Sequence, residues 1–310
     1  LQDFYEVVSR VEEADFLALP LSVEYLLQTQ KNLYYHQFLD LAKKHHKKVL
    51  IFTAGDAGKT IYDESVITIR LGGFKNKLAK DTFTMSPFFE DPIEKFKLKF
   101  YTIDKAQKPS IGFVGHSGTG FKKEIKEVLV FISANLRRII GKDKTDFQPF
   151  YPSSIKRHHF LNKIEDIHNF QSNFIHREKY RAGSVSESDR SKTTIEFFNN
   201  IQENPFTFCM RGAGNFSVRF YETLALGRIP IIVDTNFELP FSKMINWDKH
   251  CILVKEDFSD FEERLGTFYK NIKEDDFTQL QLENRKIWKK YFTKEGYFVS
   301  LHAQLQKQFI

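Results

Sequence analysis

The chain has 310 residues, 41% hydrophobic and 28% charged, with 46 basic against 40 acidic side chains and a net charge of +6. At roughly 100–200 residues per domain this suits two globular domains, and no apolar run approaches the ~20 residues of a membrane span. The mild positive excess suits phosphate-bearing ligands or an anionic membrane surface. Without a long basic run interleaved with aromatics, zinc-finger spacing or an RNA-binding signature, nucleic acid is not an expected partner.

Apolar runs alternate with amphipathic stretches, the pattern of βαβ units around a parallel sheet. Asp15 to Pro20 (DFLALP) is the first expected strand and Val23 to His46 a long helix. Val49 to Thr53 (VLIFT) is the next strand, ending in the loop Ala54-Gly55-Asp56-Ala57-Gly58, and Val66 to Leu71 (VITIRL) another. Gly72 to Lys108 is poorly patterned, and a domain boundary is expected near Pro109. Ser110 to Gly115 (SIGFVG) starts a second series, followed by the loop His116-Ser117-Gly118-Thr119-Gly120 and a helix over about Lys122 to Ile140. A polar, aromatic connector leads to a short strand, Asn173 to His176, and a loop, Tyr180 to Arg190. Asp189 or Ser191 is placed to cap a helix over Lys192 to Gln202. Phe206 to Met210 is a strand, Phe216 to Leu226 a helix stopped by Gly227, and Ile229 to Val233 a strand. A short helix is expected from Pro240, a strand over His250 to Val254, and helices beyond. Two cysteines, Cys209 and Cys251, sit in strand-like apolar runs and are expected to be free core thiols. The opening residues LQDFYEVVSR carry no signal-peptide pattern, and a short native leader before them is expected to be missing; with reduced cysteines this favours a cytoplasmic setting.

Two such halves imply two Rossmann-like domains facing each other across a cleft, with ligands at the carboxyl ends of the strands. The densest constellation is Phe206 to Asp234, FTFCMRGAGNFSVRFYETLALGRIPIIVD. A buried strand runs into a loop whose glycines, Gly212 and Gly214, let backbone amides approach a ligand. A helix then starts around Asn215, Phe216 and Ser217, and a helix N-terminus suits a phosphate. Arg211 and Arg219 add charge and bidentate geometry. Glu222, three residues after Arg219, is placed to accept hydrogen bonds from ribose hydroxyls. Each element alone has a plainer reading: a turn, or an i,i+3 ion pair between Arg219 and Glu222. The combination is far more specific. It lacks the third glycine of a dinucleotide fingerprint, where Ser217 stands, which argues against a nicotinamide-dependent oxidoreductase.

The stretch RGAGNFSVRFYETLALGRIPIIVDTNFELPF resembles the exostosin family, glycosyltransferase family 47, and its bacterial members especially; HREKYRAG upstream and NWDKHCILV downstream are similar to it as well. The close resemblance covers about Phe174 to Val254. It implies a GT-B fold, inversion at the anomeric carbon, a nucleotide-diphosphate sugar donor, UDP-linked by preference, and no required metal or other cofactor. It also implies that Glu222 meets the donor ribose and that Arg211, Gly212, Gly214, Asn215, Phe216, Ser217 and Arg219 surround the diphosphate. The absence of any Asp-x-Asp tripeptide agrees with metal independence. The expected acceptor is a glycan or lipid-linked glycan in cell-surface polysaccharide synthesis, with peripheral contact at the cytoplasmic face of the inner membrane.

Further donor-binding candidates are Arg177 and Arg181, after the strand ending at His176, and His116 with Ser117. An inverting transfer needs a base for the acceptor hydroxyl. Asp56 is the candidate, set against ordinary turn chemistry for an Asp between glycines; Asp63 and Glu64 are weaker ones. The loop Asp234, Thr235 and Glu238 is a candidate lining for the sugar pocket. Residues 1–108 would bind the acceptor and 109–290 the donor, and a helix over 291–310 would cross back onto the first domain. The rival reading is a non-catalytic nucleotide- or phosphate-binding Rossmann module.

Overall fold

The computed structural model describes residues 5–29, 31–178, 183 and 186–310. Its first half is a parallel sheet in the order β1-β2-β3-β4, made of Phe16–Ala18, Lys48–Phe52, Val66–Arg70 and Thr82–Thr84. Side chains alternate across it. Val49, Ile51 and Val66 face the helices α1 (Val23–Gln28) and α2 (Asn32–Lys44), while Leu50, Phe52, Ile67, Ile69 and Phe83 face the other way. The single helix expected over Val23 to His46 is thus two. α1 ends where the Thr29 hydroxyl bonds back to the Tyr25 carbonyl (2.7 Å), an alternative to continuing the helical ladder.

The second half is a parallel sheet in the order β6-β5-β7-β8-β9: Gln171–Arg177, Ser110–His116, Phe206–Cys209, Ile229–Val233 and Ile252–Val254. Strand order reverses between β5 and β7. At such a switch point the two loops diverge to opposite faces and leave a crevice at the strands' carboxyl ends. The phenylalanine excess fills the core beneath: Phe160 stacks on Phe258 at 4.6 Å between ring centroids, and Phe258 on Phe261 at 4.5 Å. Cys209 and Cys251 are free and buried.

The helices of this half meet expectation in part. After β5 comes α4 (Phe121–Ile139), and the connector behind it contains α5 (Ser153–Glu165). α6 spans Glu187–Glu203, capped by Ser186, whose Oγ accepts from the Asp189 amide at 3.0 Å; Asp189 is the far member of this capping pair, not the cap itself. α7 is Val218–Ala225, and Gly227 ends it at φ 67°, a left-handed conformation that releases the Leu224 and Thr223 carbonyls to the following amides. Residues from Pro240 form turns, with only a 3-10 turn at Trp247–Lys249.

The stretch 85–108 holds one short helix, α3 (Pro92–Lys95), and straps onto the second half. Gln202 donates to the Lys99 carbonyl, Arg228 to the Tyr101 carbonyl at 2.9 Å, and Gln281 exchanges hydrogen bonds with the Ile103 backbone. Helices α8 (Phe261–Asn271) and α9 (Glu274–Tyr291) complete the second half. The last helix, α10 (Lys294–Phe309), lies on the first sheet: Phe309 meets Phe16 and Phe83, Phe298 meets Phe52, and the Tyr297 hydroxyl reaches the Thr84 carbonyl at 3.3 Å.

The carboxyl-end loops of the two sheets meet. Phe74 and Phe237 form an antiparallel bridge, and Lys75 pairs with Glu238 at 3.3 Å. From β3, buried Arg70 donates to Asp146 (3.0 Å) and Thr60 (2.8 Å), and its other terminal nitrogen reaches the Ala57 carbonyl. This is the two-domain, carboxyl-end-to-carboxyl-end arrangement of GT-B.

Candidate functional site

The switch point gathers three arginines. Arg211, on the loop after β7, is buried, with its guanidinium between the rings of Tyr151 (4.6 Å to the centroid) and Phe74 (5.2 Å), the latter from the first half. It donates to the Ala213 carbonyl at 3.0 Å. Arg219, in the first turn of α7, lies over the Phe113 ring at 4.2 Å and donates to the Val114 carbonyl at 2.8 Å. Arg157, from α5, donates to the His116 carbonyl at 2.7 Å and to the Arg211 carbonyl at 3.4 Å.

Each of the three keeps a buried Nε without a hydrogen-bond partner, and none forms an ion pair with a carboxylate among the described residues. Burial holds all three guanidiniums below the usual arginine range, with Arg157 at about 10, where Arg219 adds like-charge repulsion. Buried cations without anions are costly, and an anion held among these three would offset that cost. Ser217 stands at the N-cap of α7 with no side-chain cap bond, which leaves first-turn amides available beside them.

Glu222 sits one turn along α7, half-buried, and its carboxylate has no hydrogen-bond or ion-pair partner among the described residues. The plainer alternative, an i,i+3 ion pair with Arg219, does not form, because Arg219 turns inward to Val114. Burial pushes the Glu222 carboxyl up to about 7, with Arg219 pulling the other way.

The remaining loop positions divide. Gly212 has open space around it, whereas a Cβ on Gly214 would collide with the Asp56 carbonyl and the Phe216 ring. Asp56 itself is exposed, on the loop that Arg70 holds, directly across from the arginine loop. Asn215 is buried and its amide is fully engaged, donating to the Gly73 and Thr235 carbonyls (both 3.0 Å) and accepting from Thr235 at 2.6 Å. Its side chain ties the halves together, and Phe216 wedges between Gly72 and Gly214.

Arg177, at the end of β6, pairs with Glu196 and donates to the Thr193 carbonyl at 2.8 Å, so its charge is already neutralised on α6. Arg181 lies outside the described residues. His116 donates from Nδ1 to the Arg177 carbonyl (3.1 Å) and accepts at Nε2 from Lys123 (3.0 Å), the tautomer following from these partners. Burial lowers its pKa, as does Lys123. Buried Ser117 bonds to His176 Nδ1 at 2.7 Å. Asp63 and Glu64 sit at the amino end of β3, away from the crevice. Burial would raise the Asp63 carboxyl, but bonds from Lys43 and Ser65 outweigh it and hold it at about 2.

Beside the arginines, a cavity of about 450 Å³ is lined by Lys75, Asp234, Glu238, Trp247 and Glu256. Arg157 was invisible as a site residue in the sequence. Its one signal is position: it falls with Ser154, Phe160, Leu161 and Ile164 on the buried face of α5, where an arginine needs a reason. Among the described residues no three His, Cys, Asp or Glu side chains gather as a metal-ligand group.

Comparison with known proteins places a family over this site. The exostosin GT47 domain model matches residues 129–264. Exostosin-1 of Mus musculus is 25% identical over 140 residues, covering 43% of this chain and 18% of that protein. An Exostosin-1 homolog of Caenorhabditis elegans is 42% identical over 52 residues, covering 16% of this chain and 14% of its own. The chain therefore matches less than a fifth of the length of these relatives. A glycosyltransferase from Rickettsia africae ESF-5 superposes over 98% of this chain and 85% of its own at 10% identity and a TM-score of 0.37, too loose a likeness to add to the topology above. Arg157, Arg177 and the whole Arg211–Glu222 segment fall inside the matched region, while Asp56, His116 and Ser117 fall outside it. By that domain and those relatives, residues 129–264 of this chain are similar to the exostosin GT47 domain.

Proposed function

We propose that the chain transfers a sugar from a nucleoside-diphosphate donor, UDP-linked by preference, to a hydroxyl of a glycan or lipid-linked glycan, with inversion and without a divalent cation. The observation that carries this reading is the trio of Arg157, Arg211 and Arg219, whose buried, unpartnered nitrogens converge at the strand switch point. A diphosphate supplies the missing negative charge, and Glu222 is spaced to take the ribose hydroxyls. The carboxylates of the adjoining cavity suit sugar hydroxyls.

In the proposed reaction the acceptor oxygen attacks the anomeric carbon while Asp56 takes its proton. The bond from that carbon to the phosphate oxygen breaks, and the electron pair leaves with the diphosphate. The arginines stabilise the charge that grows on that oxygen. The resemblance to the exostosin domain supports polysaccharide assembly as the setting, and the two free buried thiols support a cytoplasmic one.

Calorimetric titration with UDP, GDP and their sugars, followed by an assay of acceptor-dependent diphosphate release, tests the proposal. UDP binding with release that requires an acceptor is expected. Binding with no release under any acceptor would reduce the site to a nucleotide-binding module, and no nucleotide binding would sink the site assignment.

A further inference from the structure

Helix α4 is built inside out. None of its 19 residues is buried. The side turned toward the protein carries Lys123, Glu127, Phe131, Asn135 and Arg138, largely polar. The side turned to solvent carries Phe121, Ile125, Leu129, Ile132, Leu136 and Ile139, which are 77%, 44%, 60%, 45%, 52% and 67% exposed. Their spacing of 4, 4, 3, 4 and 3 makes one continuous apolar stripe, roughly 28 Å long at 1.5 Å per residue. A globular protein does not ordinarily present such a stripe to water.

The stripe has a charged border. Lys122, Lys126 and Arg137 fall along one edge, and Glu124 is the single exposed acid on the helix. Exposed Lys142 follows just beyond its end. A helix with a broad apolar face and cations at its margin lies in a lipid interface, apolar side down among the acyl chains and cations at the phosphates. No helix among the described residues is long and apolar enough to cross a membrane, so this contact is peripheral.

We infer that α4 seats the protein on an anionic lipid surface. The inference stands independently of the transfer chemistry. It has a geometric consequence for it: only four residues separate the end of β5 from the start of α4, so the lipid surface would lie next to the switch-point crevice.

Flotation with vesicles of phosphatidylglycerol and phosphatidylcholine in equal parts, against phosphatidylcholine alone, tests it. The intact protein is expected to float with the anionic vesicles at low salt and to be released as salt rises. Leu129→Asp with Leu136→Asp, at exposed positions, is expected to abolish flotation while the melting temperature stays unchanged. Lys122→Gln, Lys126→Gln and Arg137→Gln together leave the stripe intact and are expected to weaken binding about a hundredfold, roughly fivefold per charge. Absence of flotation in the wild type, or flotation of the Asp variant equal to it, would overturn the inference. So would light scattering that shows a dimer which the Asp variant dissociates, since the stripe would then be covered by a second copy.

Discussion

Replacing Arg219 by methionine separates a binding arginine from a structural one, because the two roles change different quantities. The side chain makes one charged hydrogen bond, to the Val114 carbonyl at 2.8 Å, and one cation–π contact, over Phe113 at 4.2 Å. Losing them costs about 1.5–3 and 0.5–2 kcal/mol. Against this, methionine removes a buried charge with an unpartnered Nε, whose desolvation costs several kcal/mol, and still covers the Phe113 ring. The terms nearly cancel, so the unliganded variant should melt within about 3 °C of the wild type. Donor affinity should fall about ten- to a hundredfold with the loss of one or two charge-assisted bonds to phosphate. Wild-type protein at a hundred times its dissociation constant for UDP gains about 2.7 kcal/mol, and the variant at the same concentration should lose half or more of that. Thermal unfolding with and without UDP reads both quantities. A large drop in the unliganded melting temperature together with an unchanged UDP response would refute the reasoning and make Arg219 a fold residue.

Glu222 has a native pKa of about 7, above its unfolded value, so the native state binds the extra proton and stability falls as pH rises between the ordinary glutamate range and about 7. Glu222→Gln should flatten that decline in a series of melts, and should also flatten the rise in nucleotide affinity expected in the wild type as the carboxylate forms. Gly214→Ala should destabilise the protein by about 1–3 kcal/mol through its collision with the Asp56 carbonyl, whereas Gly212→Ala should leave the melt alone and reduce donor affinity only. Asp56→Asn should lower kcat roughly a hundred- to ten-thousandfold with little change in donor KM; retained turnover would remove Asp56 as the base. Arg70→Met leaves Asp146 unpaired at the junction of the halves and should cost about 3 kcal/mol, measurable by denaturant unfolding.

The sheets were legible because parallel strands buried on both faces are short, continuous apolar runs, as in FTFC and IPIIV. The connector helix α5 was not, since Lys156, Arg157, His158 and His159 interrupt its apolar period. The same interruption hid Arg157, and its role became visible only when the fold set it beside Arg219. Within the Arg211–Glu222 segment, residue type alone could not separate Arg219 from Asn215. One turns a cation into the crevice; the other closes a hydrogen-bonded tie with Thr235 and Gly73. Both roles depend on which loop of the first half arrives opposite, and no local pattern carries that.

The position of α10 bears on how the molecule is made. One face of the first sheet, with Leu50, Phe52, Ile67, Ile69 and Phe83, is covered by residues near 297–309, which are synthesised after the strands of both sheets. The amino-terminal half therefore waits on the ribosome with an apolar sheet face open, while the arginine-bearing half can close its own core first. Folding of the two halves runs against the order of their synthesis, and disruption of α10 should damage the half that was made first.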